Sequence, residues 1–255
     1  MFGDGRPAPG SGQTPEAGRA ERLAGAEPPV GQWESLLDGL EWRRWEGDGQ
    51  DPISLLAVRA DPGVLDVEVV PLHARKPGEM LVSELLQGGA ALAAINGGFF
   101  ALDDQGVKHP LGLLIHSGKR TNDLRRADWG IFVIARGKPR IIHRRDPLPA
   151  GVSEALESGP RLLINGEAPS FEAAAAARRS AIGIDGAGRV VLAATQRGAL
   201  TLPQLAAALR SLDCSSALNL DGGPSTQLSL RAGDVQADIP GLWAVPSAIR
   251  IRARR

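Results

Sequence analysis

The sequence is poor in the residues that most directly announce a chemistry. It has a single cysteine, Cys214, in 255 residues, so neither a disulfide framework nor a cluster of thiolate metal ligands can form within the chain. One unpaired cysteine is compatible with the cytosol and with an exported protein large enough to do without bridges. With no histidine near it in sequence, Cys214 reads as a small, partly buried residue rather than a nucleophile. The four histidines, His73, His109, His116 and His143, follow no metal-ligand spacing. There is no HExxH, no nucleophile elbow, no P-loop and no dinucleotide fingerprint, which argues against a zinc hydrolase or an ordinary serine hydrolase. Net charge is lacking too. The 29 basic residues balance 29 acidic ones, so no overall field recruits nucleic acid or an anionic membrane surface. The basic end, Ile249 to Arg255, reads as the last strand of a sheet running out. No apolar run approaches the ~20 residues that a membrane-spanning helix requires.

What is present is a chain able to build one sizeable core, 43% hydrophobic and 23% charged. Residues 1–30 are Gly, Pro, Ala, Ser and charges without periodicity, and offer too little apolar surface to offset ordering. They read as a disordered segment or linker, without the charged-then-apolar order of an export signal. A single domain over 31–255 follows, with structure starting near Trp33. Trp33, Leu36, Leu37 and Leu40 have helical spacing, broken by Gly39. Trp42 and Trp45 then anchor this segment to the core or, alternatively, stack a sugar. From Ile53 the pattern is β, with short runs separated by Asp61-Pro62-Gly63. Glu79 to Gly89 predicts a helix stopped by Gly88-Gly89, and a buried strand then delivers Asn96. Hairpins are predicted at Arg136-Gly137-Lys138, Asn165-Gly166 and Asp185–Gly188. The best helix starts at Thr201, whose partner Gln204 completes a capping box, with Leu202, Leu205, Leu209 and Leu212 as the buried stripe. The expected fold class is α+β, with a mixed, largely antiparallel sheet core flanked by a few helices.

Two loops share one grammar: amphipathic helix, short buried strand, polar residue, Gly-Gly. The first is Ile95-Asn96-Gly97-Gly98-Phe99-Phe100, the second Asn219-Leu220-Asp221-Gly222-Gly223-Pro224-Ser225-Thr226. An aspartate at a strand end flanked by glycines can be ionised and closely approached, or it can simply hydrogen-bond its own turn. Asn96 is either a tight-turn residue or a ligand carrying both a donor and an acceptor. Pro224 has no N–H, so an anion nest in the second loop must use the amides of Gly222, Gly223 or Ser225. Asp103 and Asp104 read as solvated turn acids, and His109 as a minor candidate beside the first loop. Arg178 and Arg179 enter a strand, where side chains alternate, so at most one faces a site. The shared grammar predicts that both helices pack on one sheet and bring Asn96 and Asp221 to the same rim.

Five stretches in order, AINGGFF (94–100), GPRLLINGE (159–167), RSAIGIDGAGRVVL (179–192), GALTLPQL (198–205) and ALNLDGGPSTQL (217–228), make the chain resemble the phosphodiester glycosidase family over roughly Glu79 to Arg250. Its best-known member uncovers mannose 6-phosphate by removing N-acetylglucosamine. The resemblance implies a site made of Asn96, Gly97, Gly98, Arg179, Asn219, Asp221, Gly222, Gly223 and Ser225, with Thr226 beside them. Where the family often has a third glycine and a serine pair, this chain has Pro224 and Thr226. Family members usually carry an export signal, which favours an extracytoplasmic or secreted setting and cell-surface carbohydrate as substrate.

The implied reaction breaks the bond from an anomeric carbon to a phosphate oxygen, through an oxocarbenium-like state. Asp221 would be nucleophile or general base, Arg179 and loop amides the clamp on phosphate, and Asn96 and Asn219 positioning groups. The substrate class is a small glycosyl phosphodiester or phosphate-linked glycan. No metal is required, although an Asp-rich loop could hold a divalent cation. Two other classes compete: a carbohydrate-binding module without turnover, and a phosphodiesterase that cleaves P–O instead of C–O.

Overall fold

The computed structural model describes residues 28–48, 52–74, 78–89, 91–172 and 174–254. Most of the expected disordered segment 1–30 lies outside these. Pairing begins earlier than Trp33, because Arg44 N donates to Pro29 O at 2.8 Å and Val30 bridges Arg44.

Among the described residues, three large antiparallel sheets and a small two-stranded one, Phe100–Leu102 with Lys108–Pro110, make up the molecule. The largest runs in the order Glu34–Leu37, Leu40–Glu46, Ser54–Ala60, Val190–Arg197, Ser180–Asp185, Cys214–Asn219, Arg161–Leu163. The second is ordered Val235–Ile239, Leu228–Ala232, Ala91–Asn96, Ser247–Ala253, Leu65–Pro71, and the third Lys138–His143, Gly130–Ala135, Val152–Ser158, Leu114–His116, Lys119–Asn122. Leu56, Val58, Ile182 and Leu192 of the first meet Val69, Ile95 and Ile249 of the second and Phe132 and Leu156 of the third in one main core. The helix Leu202–Ser211 covers the other face of the first sheet through Leu205, Leu209, Ala181 and Ala217.

The fold is thus more β-rich than the α+β reading suggests. Among the described residues, every pairing between the named strands is antiparallel, so the sheets are not mixed. The helix expected from Trp33 to Leu40 is a hairpin in which Glu34 pairs with Trp42. Gly39 turns it at φ +76°, a left-handed conformation that a glycine adopts without strain. The helical spacing of four apolar residues there is coincidental. Leu40 and Trp42 instead alternate into the core, which buries Trp42 to 1% exposure and removes it as a sugar platform. The helix expected from Glu79 to Gly89 shortens to a 3-10 turn, Val82–Leu86.

Where turn chemistry is explicit, the sequence expectations hold. Asn165-Gly166 and Arg136-Gly137 take positive φ at both positions, as type I′ hairpins demand. Asp185 Oδ1 accepts from Ala187 N and Arg189 N, closing the 185–188 turn. Thr201 caps the helix reciprocally: Gln204 Oε1 accepts from Thr201 N at 2.9 Å, and Thr201 Oγ1 accepts from Gln204 N at 3.4 Å. Thr201→Ala should therefore cost about 1 kcal/mol. Urea unfolding should show this as a lower midpoint at unchanged slope, and an unshifted midpoint would mean that packing alone holds the helix.

Candidate functional site

The two glycine loops meet, although not by the expected route. The 3-10 turn Val82–Leu86 packs on the strand Ala91–Asn96 of the second sheet, whereas the helix Leu202–Ser211 packs on the first. Asn96 ends the middle strand of the second sheet and Asp221 follows an inner strand of the first, Cys214–Asn219, so the two meet at strand ends. Asn96 is the joint. Its Nδ2 donates to Asp221 O at 2.8 Å and to Gly97 O at 3.2 Å, while its Oδ1 accepts from Ser180 Oγ at 2.7 Å and Gln227 N at 3.2 Å. Asp221 N in turn donates to Gly97 O at 3.2 Å. With no exposed surface and its whole amide engaged, Asn96 fixes the loops rather than reaching into solvent. The neighbouring glycines permit this closeness. A Cβ at Gly97 would stand 2.3 Å from Ser247 Oγ, and one at Gly222 would stand 2.8 Å from Arg178 O.

Asp221 sits in a pocket of its own loop. Gly222 N donates to its Oδ1 at 2.9 Å, and Ser225 supplies a side-chain hydrogen bond. Burial outweighs these two bonds and raises the Asp221 carboxyl above its ordinary range. The expected anion nest is absent. Gly222 N is on Asp221, Gly223 N donates to Arg178 O at 2.8 Å, and Ser225 N donates to Gly222 O at 3.1 Å. All three available amides are engaged within the protein.

The two arginines precede the strand Ser180–Asp185 and are held separately. Arg178 Nη2 donates to Pro240 O at 3.2 Å. Ala181 and Asn219 are the last pair of their two strands, and beyond them Gly223 N donates to Arg178 O, so the pairing does not continue in that register. The Arg179 guanidinium is held by Leu200 O at 3.0 Å and Ala175 O at 2.7 Å. Burial lowers its pKa with no charged group opposing the shift, and no carboxylate pairs with it among the described residues.

Asn219 donates from Nδ2 to Gly159 O at 2.9 Å, while its buried Oδ1 has no partner. Thr226 Oγ1 and Ser158 Oγ are also buried without a partner, and Ser158 lies against Gly98. The remaining candidates fall away from the loops. Asp103 accepts from Gln105 N, Val107 N and His109 Nε2 on an exposed hairpin, which makes it a turn acid. Cys214 is buried behind the helix, its thiol pushed up to about 12. No cluster of three or more His, Cys, Asp or Glu residues suited to a metal occurs among the described residues.

Two contributors, Ser180 and Gln227, escaped the sequence reading. Ser180 orients Asn96. Gln227 joins the loops by accepting from Val82 N at 2.7 Å and donating to Ser225 O at 3.2 Å and Trp243 O at 2.9 Å. Phe99 and Phe100 diverge to separate tryptophans, Trp129 at 5.3 Å and Trp243 at 6.4 Å between ring centroids. Strand parity could have suggested Ser180, but no signal in the sequence joins Phe100 to Trp243.

The sequence profile of the phosphodiester glycosidases matches residues 89–252. No curated protein matches the sequence. Among solved structures, the catalytic domain of zebrafish N-acetylglucosamine-1-phosphodiester alpha-N-acetylglucosaminidase, auto-inhibited by its pro-peptide, superposes with a TM-score of 0.69 at 19% identity, covering 89% of this chain and 87% of that one. A hypothetical protein from Synechocystis gives 0.62 at 17% identity, over 88% of this chain and 64% of that one. A putative exported protein from Burkholderia pseudomallei gives 0.55 at 16% identity, over 79% and 74%. At these identities the three share the fold.

Proposed function

The chain belongs to the phosphodiester glycosidase family, a family of glycosidase-type hydrolases, and we propose that it hydrolyses the C–O bond between an anomeric carbon and the phosphate of a small glycosyl phosphodiester. The observation that carries this reading is that Arg179 and Asp221, each in one of the family's motif stretches, both lack an ionic partner among the described residues. The half-buried guanidinium is bonded only to two backbone carbonyls and the part-buried carboxyl only within its own loop. Each is partly desolvated, and an anionic ligand at Arg179 would supply its missing counter-charge.

In the proposed reaction the phosphate departs as a stabilised monoester anion, so it needs a clamp more than a proton. Arg179 is that clamp, because the loop amides are already engaged. Asp221, in its ionised form, faces the anomeric carbon as nucleophile or as the base that activates water. Asn96 acts as a positioning residue: it holds Asp221 O and Gly97 O in one place. Gly97, Gly98 and Gly222 let the loops close against Ser247, Glu157 and Arg178, and Gly223, with open space where a Cβ would stand, keeps the approach free. Asn219, Ser225 and Thr226 are buried behind it and support the loop from within, Asn219 through its bond to Gly159 O.

A panel of glycosyl-1-phosphodiesters in water labelled with oxygen-18 tests this directly. Label in the released sugar is expected. Label in phosphate would show P–O cleavage, and saturable binding without turnover would show a carbohydrate-binding module. On the hydrolysed substrate, Arg179→Ala should raise KM and lower kcat/KM by roughly thirty- to a thousand-fold, as loss of a charge-assisted contact of about 2–4 kcal/mol implies. Arg178→Ala, which removes one bond to Pro240 O, should lose far less. The reverse order would place Arg178 at the phosphate.

A further inference from the structure

Trp243 is 49% exposed and Leu242 76% exposed, yet their backbone is firmly held. Leu242 N and Trp243 N both donate to Pro224 O, at 2.9 and 3.3 Å, and Trp243 O accepts from Gln227 Nε2, which also bonds Ser225 O. Arg178 ties Pro240 to the same turn. Segment 240–243 is therefore fastened to the loop that carries Asp221. The Trp243 ring meets Phe100 at an interplanar angle of 61°, an edge contact that fixes the indole without covering it. Phe100 follows Gly97-Gly98 by two residues and so belongs to the other loop of the site. Leu242 and Trp243 are adjacent and both exposed, so they form one apolar patch beside the site, not a lone surface residue.

Trp129, the other tryptophan beside the loops, is different. Phe99 packs on it, Arg125 lies 5.2 Å over its ring, and Gly159 abuts its Cβ and Cγ. Its surface is taken by the protein, whereas that of Trp243 is open.

We infer that Trp243, backed by Phe100, is the platform on which the apolar C–H face of a pyranose ring stacks while Asp221 and Arg179 act at its anomeric end. This rests on the reading of the Asp221 loop as the sugar-bearing site. The surroundings favour a sugar over an alkyl chain. Lys108 Nζ lies 5.5 Å over the Phe100 ring and donates to Ala244 O at 2.8 Å, and the Arg178 guanidinium borders Pro240. Such a setting matches a ring with hydroxyls around an apolar face and interrupts any long greasy groove.

The test is calorimetric titration of the intact protein with a panel of pyranose 1-phosphates and with octyl phosphate. Trp243→Phe should bind the preferred sugar phosphate within about threefold of the parent, and Trp243→Leu, which keeps bulk without a ring, should bind it roughly ten- to thirtyfold more weakly. Val107→Ala, on the neighbouring hairpin, should leave the affinity where it was. Folding of each variant is verified by its melting curve, and the Phe and Leu replacements retain enough volume to keep the loop packed. Equal binding of sugar phosphate by the parent and Trp243→Leu overturns the platform. So does octyl phosphate binding that depends on Trp243 when sugar phosphate binding does not. Hydrolysis is scored separately. If no phosphodiester is cleaved but Trp243-dependent sugar binding persists, the hydrolase reading fails and the platform stands. Cleavage with Trp243→Leu indistinguishable from the parent in binding and in KM fails the platform alone.

Discussion

Asp221→Asn is expected to lower kcat by about a hundred-fold or more while the substrate still binds, because the carboxylate acts on charge and bonding that develop only at the anomeric carbon. The amide preserves the shape of the loop and can still accept from Gly222 N. The pH profile adds a second readout. Burial raises the Asp221 carboxyl, so the acidic limb of kcat/KM should lie above the usual carboxylate range near 4, and the residual activity of the variant should lack that limb. Stability should move the other way. A folded-state pKa above the unfolded value means that the folded protein binds the proton more tightly. Stability at this site is then complete below the unfolded pKa and is lost as pH rises through the folded one. At neutral pH the parent carries that penalty and Asp221→Asn does not, so the variant should melt higher, with the advantage fading as pH falls from the raised folded pKa to the ordinary carboxylate range and absent below it. A folded variant with full kcat would show that Asp221 is a turn residue only.

Asn96→Ala should be the most damaging single change outside the ionisable groups. It removes the one donor, Nδ2, of both bonds that tie Gly97 O and Asp221 O together, and it leaves Ser180 Oγ and Gln227 N without their acceptor in a buried place. Unpaired buried polar groups cost ~1–3 kcal/mol each, and groups in one network fail together. A loss on the order of 3 kcal/mol or more in urea unfolding is expected. The remaining folded protein should show at least a hundred-fold lower kcat/KM, because Asp221 is no longer held against Gly97. A variant within about 1 kcal/mol of the parent, with normal kinetics, would mean that Gln227 and the strand pairing suffice to hold the loops.

What could be read from the sequence was what short-range physics decides. Asn165-Gly166, Arg136-Gly137 and the Asp185–Gly188 turn announce themselves because few residues tolerate positive φ or bond their own backbone. The Thr201–Gln204 cap and its leucine stripe are equally local. The motif order in Ala94–Phe100, Arg179–Leu192 and Ala217–Leu228 was enough to suggest the family. The segments that misled were those where local signals are weak. Four apolar residues from Trp33 to Leu40 fit a helical spacing, but pairing of Trp42 with Glu34 and burial of Leu40 and Trp42 in the core override it. The turn Val82–Leu86 never becomes a full helix: Leu81 and Gln87 on either side of it are extended, and Gly88 and Gly89 then take positive φ.

The site divides along the same line. An acid beside paired glycines marks Asp221 as a place to look, and the sequence alone determined that much. Only the tertiary structure decides that Asn96 is wholly engaged in holding two loops, that the three loop amides are already bonded, that Arg179 is held on Leu200 O and Ala175 O while Arg178 turns to Pro240, and that Trp243 rather than Trp42 lies open. Each of these depends on which residues from distant strands share a face. That is set by how three sheets pack around one core, a long-range outcome that no window of neighbouring residues encodes.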